Sequence, residues 1–199
     1  MCLDENYWSG RYQRNDTPWD VAQITTPLKE YFDQLKDKSL KILIPGAGYG
    51  HEVAYLYANG FTNVFMADIS KAPLEDFKKI NPDFPSHQLL HVDFFQHEDK
   101  YDLIIEQTFF CALDPSLRQR YADQCHKLLK SGGKVVGLLF HGVFSANPPY
   151  GGTREEYLKY FSSFENRVFE PCYNSIPARA GRELFFIMAK SGYDNTHND

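Results

Sequence analysis

The sequence predicts an α/β protein: a doubly wound, seven-stranded, mostly parallel sheet that closes with a C-terminal antiparallel hairpin. Three observations predict it. The apolar run Lys41–Pro45 ends in the turn Gly46-Ala47-Gly48-Tyr49-Gly50 and leads into a helical pattern. Strand-like and helix-like patterns then alternate as far as residue 140, and strands joined by helices make a parallel sheet covered on both faces. Finally, two strand candidates, 167–173 and 183–190, follow each other with no long helix between them.

The elements are justified in order. Residues 1–24 read as irregular, yet they hold both tryptophans, Trp8 and Trp19, so the segment is expected to pack on something. A helix is expected over 26–37, with Pro27 at its first turn and Leu28, Tyr31, Phe32 and Leu35 on one face. Strand 41–45 is followed by helix 51–59, with Gly60 at its end. Strand 63–68 precedes a helix over 71–80, with Ser70 as candidate cap. Strand 87–92 leads to Asp93, and strand 101–106 to Phe109-Phe110-Cys111-Ala112. The next helix is expected from Asp114-Pro115 to Lys130, with Leu117, Tyr121, Cys125 and Leu128 on one face. Gly132-Gly133 should stop it, with Lys127 and Lys130 facing its negative end. Strand 134–140 follows. Thr153-Arg154-Glu155-Glu156 has capping-box spacing before a helix carrying Tyr157, Phe161 and Phe164.

The chain reads as a single domain over 1–199, with 1–39 an aromatic cap and helix and 191–199 a frayed polar tail. Its 199 residues suffice for a substantial core, and a net charge of −5 offers no basic footprint for nucleic acid. No apolar run is long enough to span a bilayer, and no signal segment is evident. Cys2, Cys111, Cys125 and Cys172 match no zinc or disulfide spacing, so a cytoplasmic setting without a metal is expected. A monomer acting on a small molecule is the expected form.

The glycine turn lets a ligand approach the main chain. It lacks the Lys-Ser/Thr of a phosphate-binding P-loop, and His51 stands where a dinucleotide fingerprint wants its third glycine. Glu52 would repel a phosphate at the helix start. A nucleoside without phosphate fits better. Asp68, twenty residues after Gly48, falls at the end of the second strand, where a carboxylate can accept from ribose hydroxyls. Asp93-Phe94 after the third strand offers an acid and a ring to an adenine. Asp68 can also be a solvated residue capping the next helix start beside Ser70, and Asp93-Phe94 a loop acid and a core ring.

Glycine turn, acids after strands two and three, and a final hairpin together resemble the class I S-adenosylmethionine-dependent methyltransferases. Thr17-Pro18-Trp19-Asp20, Pro45–Glu52, Asp68-Ile69-Ser70, Phe109–Ala112, Pro148-Pro149-Tyr150 and Ile176-Pro177-Ala178-Arg179 look most like the thiopurine S-methyltransferase superfamily, in its thiol/halide branch. The resemblance implies a Rossmann-like methyltransferase fold and S-adenosylmethionine as cofactor. It implies that Trp8, Tyr12 and Trp19 line the cofactor pocket. Gly46 would then meet the methionine part, Asp68 the ribose and Asp93-Phe94 the adenine, with Gly48 also binding the cofactor. Gln107 would lie near the methyl donor, and Arg118 near the active site. The halide-type branch carries Tyr at the place of Gln107 and Trp at that of Tyr12, which favours a thiol, thiopurine-like or selenium acceptor over a halide.

Methyl transfer from a sulfonium needs alignment and dryness, and a soft anion needs no base. Arg118 and Arg179 are the candidates for steering an anionic nucleophile, because guanidinium keeps its charge. Tyr150 is a candidate wall of the acceptor pocket. His141 and His91 read better as structural or surface residues than as bases. Two alternatives remain open at this point: a nicotinamide-dependent oxidoreductase, and a non-catalytic nucleoside-binding protein of the same fold.

Overall fold

A computed structural model describes residues 3–144 and 148–192. Seven strands form one sheet in the order β3-β2-β1-β4-β5-β7-β6. They are β1 Ile42–Pro45, β2 Val64–Asp68, β3 Leu89–His91, β4 Tyr101–Gln107, β5 Leu129–Phe140, β6 Glu165–Pro171 and β7 Glu183–Ala189. The first five run parallel, and β7 pairs antiparallel with both β5 and β6. The six helices are α1 Glu5–Gln13, α2 Thr26–Asp33, α3 His51–Ala58, α4 Lys71–Ile80, α5 Arg118–Leu128 and α6 Arg154–Tyr160.

The alternation of side chains along each strand divides the core. Leu43, Ile104 and Val135 face one layer, with Tyr121 and Cys125 of α5 and Tyr157 of α6. Ile42, Ile44, Leu103 and Ile105 face the other, with Leu28 and Phe32 of α2, Val53 and Leu56 of α3, and Leu74 of α4. Strand order reverses between β1 and β4, so a crevice opens at their carboxyl ends, under the glycine turn and the segment after Gln107.

Several local expectations are corrected. The N-terminal segment is not irregular throughout. Asp4 caps α1 by accepting from the Tyr7 N–H at 3.0 Å, and Gly10 with scattered polar residues had hidden the helical period. Helix α2 stops at Asp33, short of residue 37. Ser70 makes no side-chain cap; its hydroxyl bonds to that of Ser9 in α1 at 2.8 Å. Before α5, Asp114 caps a short 3-10 turn over Pro115–Leu117. Helix α5 ends at Leu128 and β5 starts at once, so Gly132-Gly133 lie inside a strand. Its last carbonyls are met by Lys190, which donates to His126 and Leu129 at 3.0 Å each, while Lys127 and Lys130 pair with Glu98 and Asp102. Thr153 does cap α6 by accepting from the Glu156 N–H, but the Glu156 carboxylate turns to Arg118. The tail beyond residue 192 lies outside the described residues.

Candidate active site

The site starts at the carboxyl end of β1. Gly46 and Gly48 hold φ of 57° and 54°, a left-handed backbone that a side chain resists. This turns the Gly48 N–H toward β2, where it donates to Asp68 Oδ2 at 3.1 Å. The Ser70 N–H donates to Oδ1 at 2.8 Å. Each carboxylate oxygen thus keeps a lone pair for a further donor. Burial pushes the Asp68 carboxyl up to about 6, against the opposing pull of the Ser70 and Gly48 N–H groups.

The N-terminal segment closes over this floor. Trp8 and Tyr12 project from α1, and both meet Trp19 edge-on, at 5.4 and 5.8 Å. Tyr12 also packs on Tyr49 of the glycine turn. Polar contacts fasten the segment: His51 to Asp20 at 2.7 Å, His91 to Glu5 at 3.0 Å, and the Ser9–Ser70 pair. Arg179 donates to the Trp19 carbonyl at 2.8 Å from the far side.

The opposite wall follows β4. Glu106 is fully buried. Its Oε1 accepts from the Phe109 and Phe110 N–H groups, each at 2.8 Å, and its Oε2 from the Tyr121 hydroxyl at 2.6 Å. Burial pushes its carboxyl up to about 7. These bonds fold the chain sharply after Gln107, so Thr108 takes φ 58°, a strained value for a β-branched residue. The turn drives the Phe109 ring against Gly46, where an added Cβ would lie 2.3 Å from Cδ2.

Between these walls lies a cavity of about 330 Å³. Trp8, Tyr12, Trp19, Gly46, Asp68 and Ile69 line one end. Phe140, Phe144, Pro148, Pro149, Arg179 and Arg182 line the other, with Thr108, Phe109 and Cys111 between. A smaller recess of about 40 Å³ adjoins it, lined by Gly48, Gln107, Thr25, Asp20 and Glu52 among others, and shares Trp19, Gly46, Thr108 and Arg179 with it. Two buried donors on these walls make no hydrogen bond, Gln107 Nε2 and Arg179 Nη1, the latter lying in an ion pair with Glu183 Oε1 at 3.5 Å.

The structure therefore brings Trp8, Tyr12, Trp19, Gly46, Asp68 and Arg179 to the larger cavity, and Gly48 and Gln107 to the recess. It does not bring Arg118, Tyr150, Asp93 or Phe94 to either. Arg118 is 2% exposed. It pairs with Glu156 at 2.7 Å and donates to the Tyr150 and Gly151 carbonyls, which ties α5 to α6 and to the chain before it. Tyr150 meets Cys111 through its N–H. Asp93 caps a short turn through the Phe95 N–H, and Phe94 is buried against Phe109 and Tyr121, behind the wall. His141 is exposed and lines neither cavity. Sequence reasoning missed Arg11, Arg182, Phe140 and Phe144. The Arg179-Ala180-Gly181-Arg182 spacing could have found Arg182, since a glycine turn between two arginines can present both on one side.

Comparison with known proteins shows the family and the fold. A sequence profile of the family "Thiopurine S-methyltransferase" matches residues 3–179. A probable thiol methyltransferase 2 of Arabidopsis thaliana is 34% identical over 76% of this chain and 70% of its own length. Thiocyanate methyltransferase 1 of the same plant is 29% identical over 91% of this chain and 83% of its own. Among solved structures, the magnesium protoporphyrin IX methyltransferase of Synechocystis PCC 6803, with bound S-adenosylmethionine, superposes with a TM-score of 0.73. It is 13% identical and covers 94% of this chain and 95% of its own, a likeness of fold.

Proposed function

The chain belongs to the thiopurine S-methyltransferase family of S-adenosylmethionine-dependent enzymes, and on that premise we propose that it methylates a small soft nucleophile, an organic thiol or its selenium counterpart, in the larger cavity. The nicotinamide-dependent alternative gains no support from that family.

One observation carries the choice of acceptor. Among the described residues lining the far end of the cavity there is no Asp, Glu or His; the charged groups there are Arg179 and Arg182. The carboxylate that does line the cavity, Asp68, sits at the glycine-turn end and accepts two backbone N–H bonds. A neutral hydroxyl or amine would need a base beside it. A thiolate needs none, and a guanidinium stabilises its charge.

The residues fit the cofactor. Asp68 keeps lone pairs for two ribose hydroxyls. The faces of Trp8 and Tyr12 favour a cation beside them, while a face of Trp19 already carries Arg11. Gln107 Nε2 is a buried donor awaiting an acceptor such as an amino-acid carboxylate, and Asp20 and Glu52 in the same recess suit an ammonium. Gly46 and Gly48 leave the turn bare for close approach. Ile69, next to Asp68, takes the place on the cavity that sequence reasoning gave to Phe94. When bound, S-adenosylmethionine supplies a methyl group on a sulfonium, which leaves as a neutral thioether. Arg179, whose Nη1 makes no hydrogen bond and lies 3.5 Å from the Glu183 carboxylate, holds the anionic acceptor, and the aromatic walls exclude water. The new bond is sulfur to methyl carbon, and no proton moves when the acceptor arrives as thiolate.

The three described cysteines are unbridged, which supports a reducing, cytoplasmic setting. No helix among the described residues is long and apolar enough to cross a membrane. A monomer remains the proposed form, checked by size-exclusion chromatography with light scattering.

The test is a product-detecting assay with S-adenosylmethionine and a panel of thiols, hydrosulfide, selenite, iodide and catechol. Methylated thiol or selenium products are expected. Turnover of catechol without turnover of any thiol, or binding of S-adenosylhomocysteine with no methylated product, overturns the reading.

A further inference from the structure

Arg11, Arg179 and Arg182 all line the larger cavity. Arg11 is committed to Asp16 at 2.7 Å and lies over the Trp19 ring. Arg179 is committed to the Trp19 carbonyl and lies 3.5 Å from Glu183. Arg182 is different. Among the described residues no carboxylate comes within ion-pair distance of it, and its side chain is in no hydrogen bond.

Its guanidinium lies instead over the Phe144 ring, 4.1 Å from the centroid, and Phe144 packs on Phe140 at 5.1 Å. A guanidinium that stacks on a ring uses its flat face and keeps its in-plane N–H donors for a ligand. The backbone fixes where this happens. The Arg182 N–H donates to the Arg179 carbonyl at 3.0 Å, and the Arg182 carbonyl accepts from His141 N–H at 2.8 Å, just past β5. The charge is thus held at the acceptor end of the cavity, away from Gly48 and Gln107, on an aromatic shelf that suits a planar two-oxygen anion.

We propose that Arg182 forms a second anion subsite, and that the acceptor is a thiol bearing a carboxylate away from its sulfur. This rests on the thiol methyltransferase reading above. The thiolate is placed by Arg179 and the carboxylate by Arg182. In the transfer, the acceptor sulfur forms a bond to the methyl carbon as the methyl–sulfonium bond breaks, and that electron pair stays on the departing sulfur. The carboxylate takes no part in the bond changes, so Arg182 sets specificity only.

The experiment compares 3-mercaptopropionate with its neutral amide as acceptors, using the full chain and S-adenosylmethionine. The native protein should prefer the carboxylate by roughly five- to tenfold in kcat/KM, the size of one charge-assisted contact at a part-exposed site. Arg182→Gln should bring the ratio of the two acceptors close to one, and Arg182→Lys should restore part of it. Calorimetry with S-adenosylhomocysteine reports that each variant is folded. A ratio near one in the native protein, or a ratio unchanged by Arg182→Gln, overturns the subsite. So does an equal loss of S-adenosylhomocysteine affinity in Arg182→Gln, because the arginine would then serve the cofactor. Methylation of other thiols but not of 3-mercaptopropionate overturns the subsite alone; methylation of no thiol overturns the function on which it rests.

Discussion

At Asp68, burial and hydrogen bonding pull in opposite directions, and burial prevails, raising the carboxyl to about 6. The ionised form is the better acceptor for ribose hydroxyls. Affinity for S-adenosylhomocysteine should therefore fall as pH drops from 7 through 6 to 5, and Asp68→Asn should flatten that profile, as read by calorimetry. Asp68→Ala should cost about 1.5–3 kcal/mol of binding at pH 7. Glu106 carries a second titration. Its folded carboxyl, at about 7, lies above its ordinary value of 4.5, so the stability it contributes is full below that value and is lost as pH rises through 7. Glu106→Gln keeps an acceptor for the Phe109 and Phe110 N–H groups. Its melting temperature should accordingly decline less than that of the native protein between pH 5 and 8. Asp68 was legible in the sequence because its place depends on a strand end and a fixed offset from the glycine turn. Glu106 was not, since its burial and its bond from Tyr121 exist only once α5 packs against β4.

At the scale of elements, Arg118 shows what a residue type alone does not reveal. A guanidinium in a helix near the site reads equally as an anion hook or as a structural clamp, and three-dimensional packing decides. Here it joins α5 to Glu156 of α6 and to the carbonyls of Tyr150 and Gly151, and stacks on Phe110 and Tyr157. Arg118→Ala removes a buried guanidinium that donates to the Tyr150 and Gly151 carbonyls and to the part-exposed Glu156 carboxylate. It should destabilise the fold by about 1.5–3 kcal/mol, seen as a lower urea midpoint, while S-adenosylhomocysteine affinity of the folded protein changes little. A drop in affinity with unchanged stability would place Arg118 at the site after all. Helix α1 was missed for a related reason. Its apolar residues are aromatic rings that meet Trp19 and Tyr49 across the crevice, so they follow the shape of that partner rather than a stripe along the helix.

For the whole molecule, the sheet supplies the floor and the N-terminal segment supplies the roof. Removing residues 1–20 deletes Trp8, Tyr12 and Trp19 but no strand. The far-ultraviolet circular dichroism spectrum should lose only the helical signal of α1, while S-adenosylhomocysteine affinity should fall by at least about tenfold. Undiminished affinity would show that the roof is dispensable. The sequence by itself determined the strand–helix alternation, the glycine turn, Asp68 and the final hairpin. Each of these is written in local periodicity or short fixed spacing, which the backbone must obey wherever it goes. Only the tertiary structure decided which side chains share the cavity. It set Arg179 against Trp19, 160 positions away, and Arg182 over Phe144, and it put Arg118 and Phe94 into supporting packing and left Tyr150 and Asp93 lining neither cavity. Those outcomes depend on how far β5, β7 and α5 approach one another, and a single chain of letters does not carry that distance.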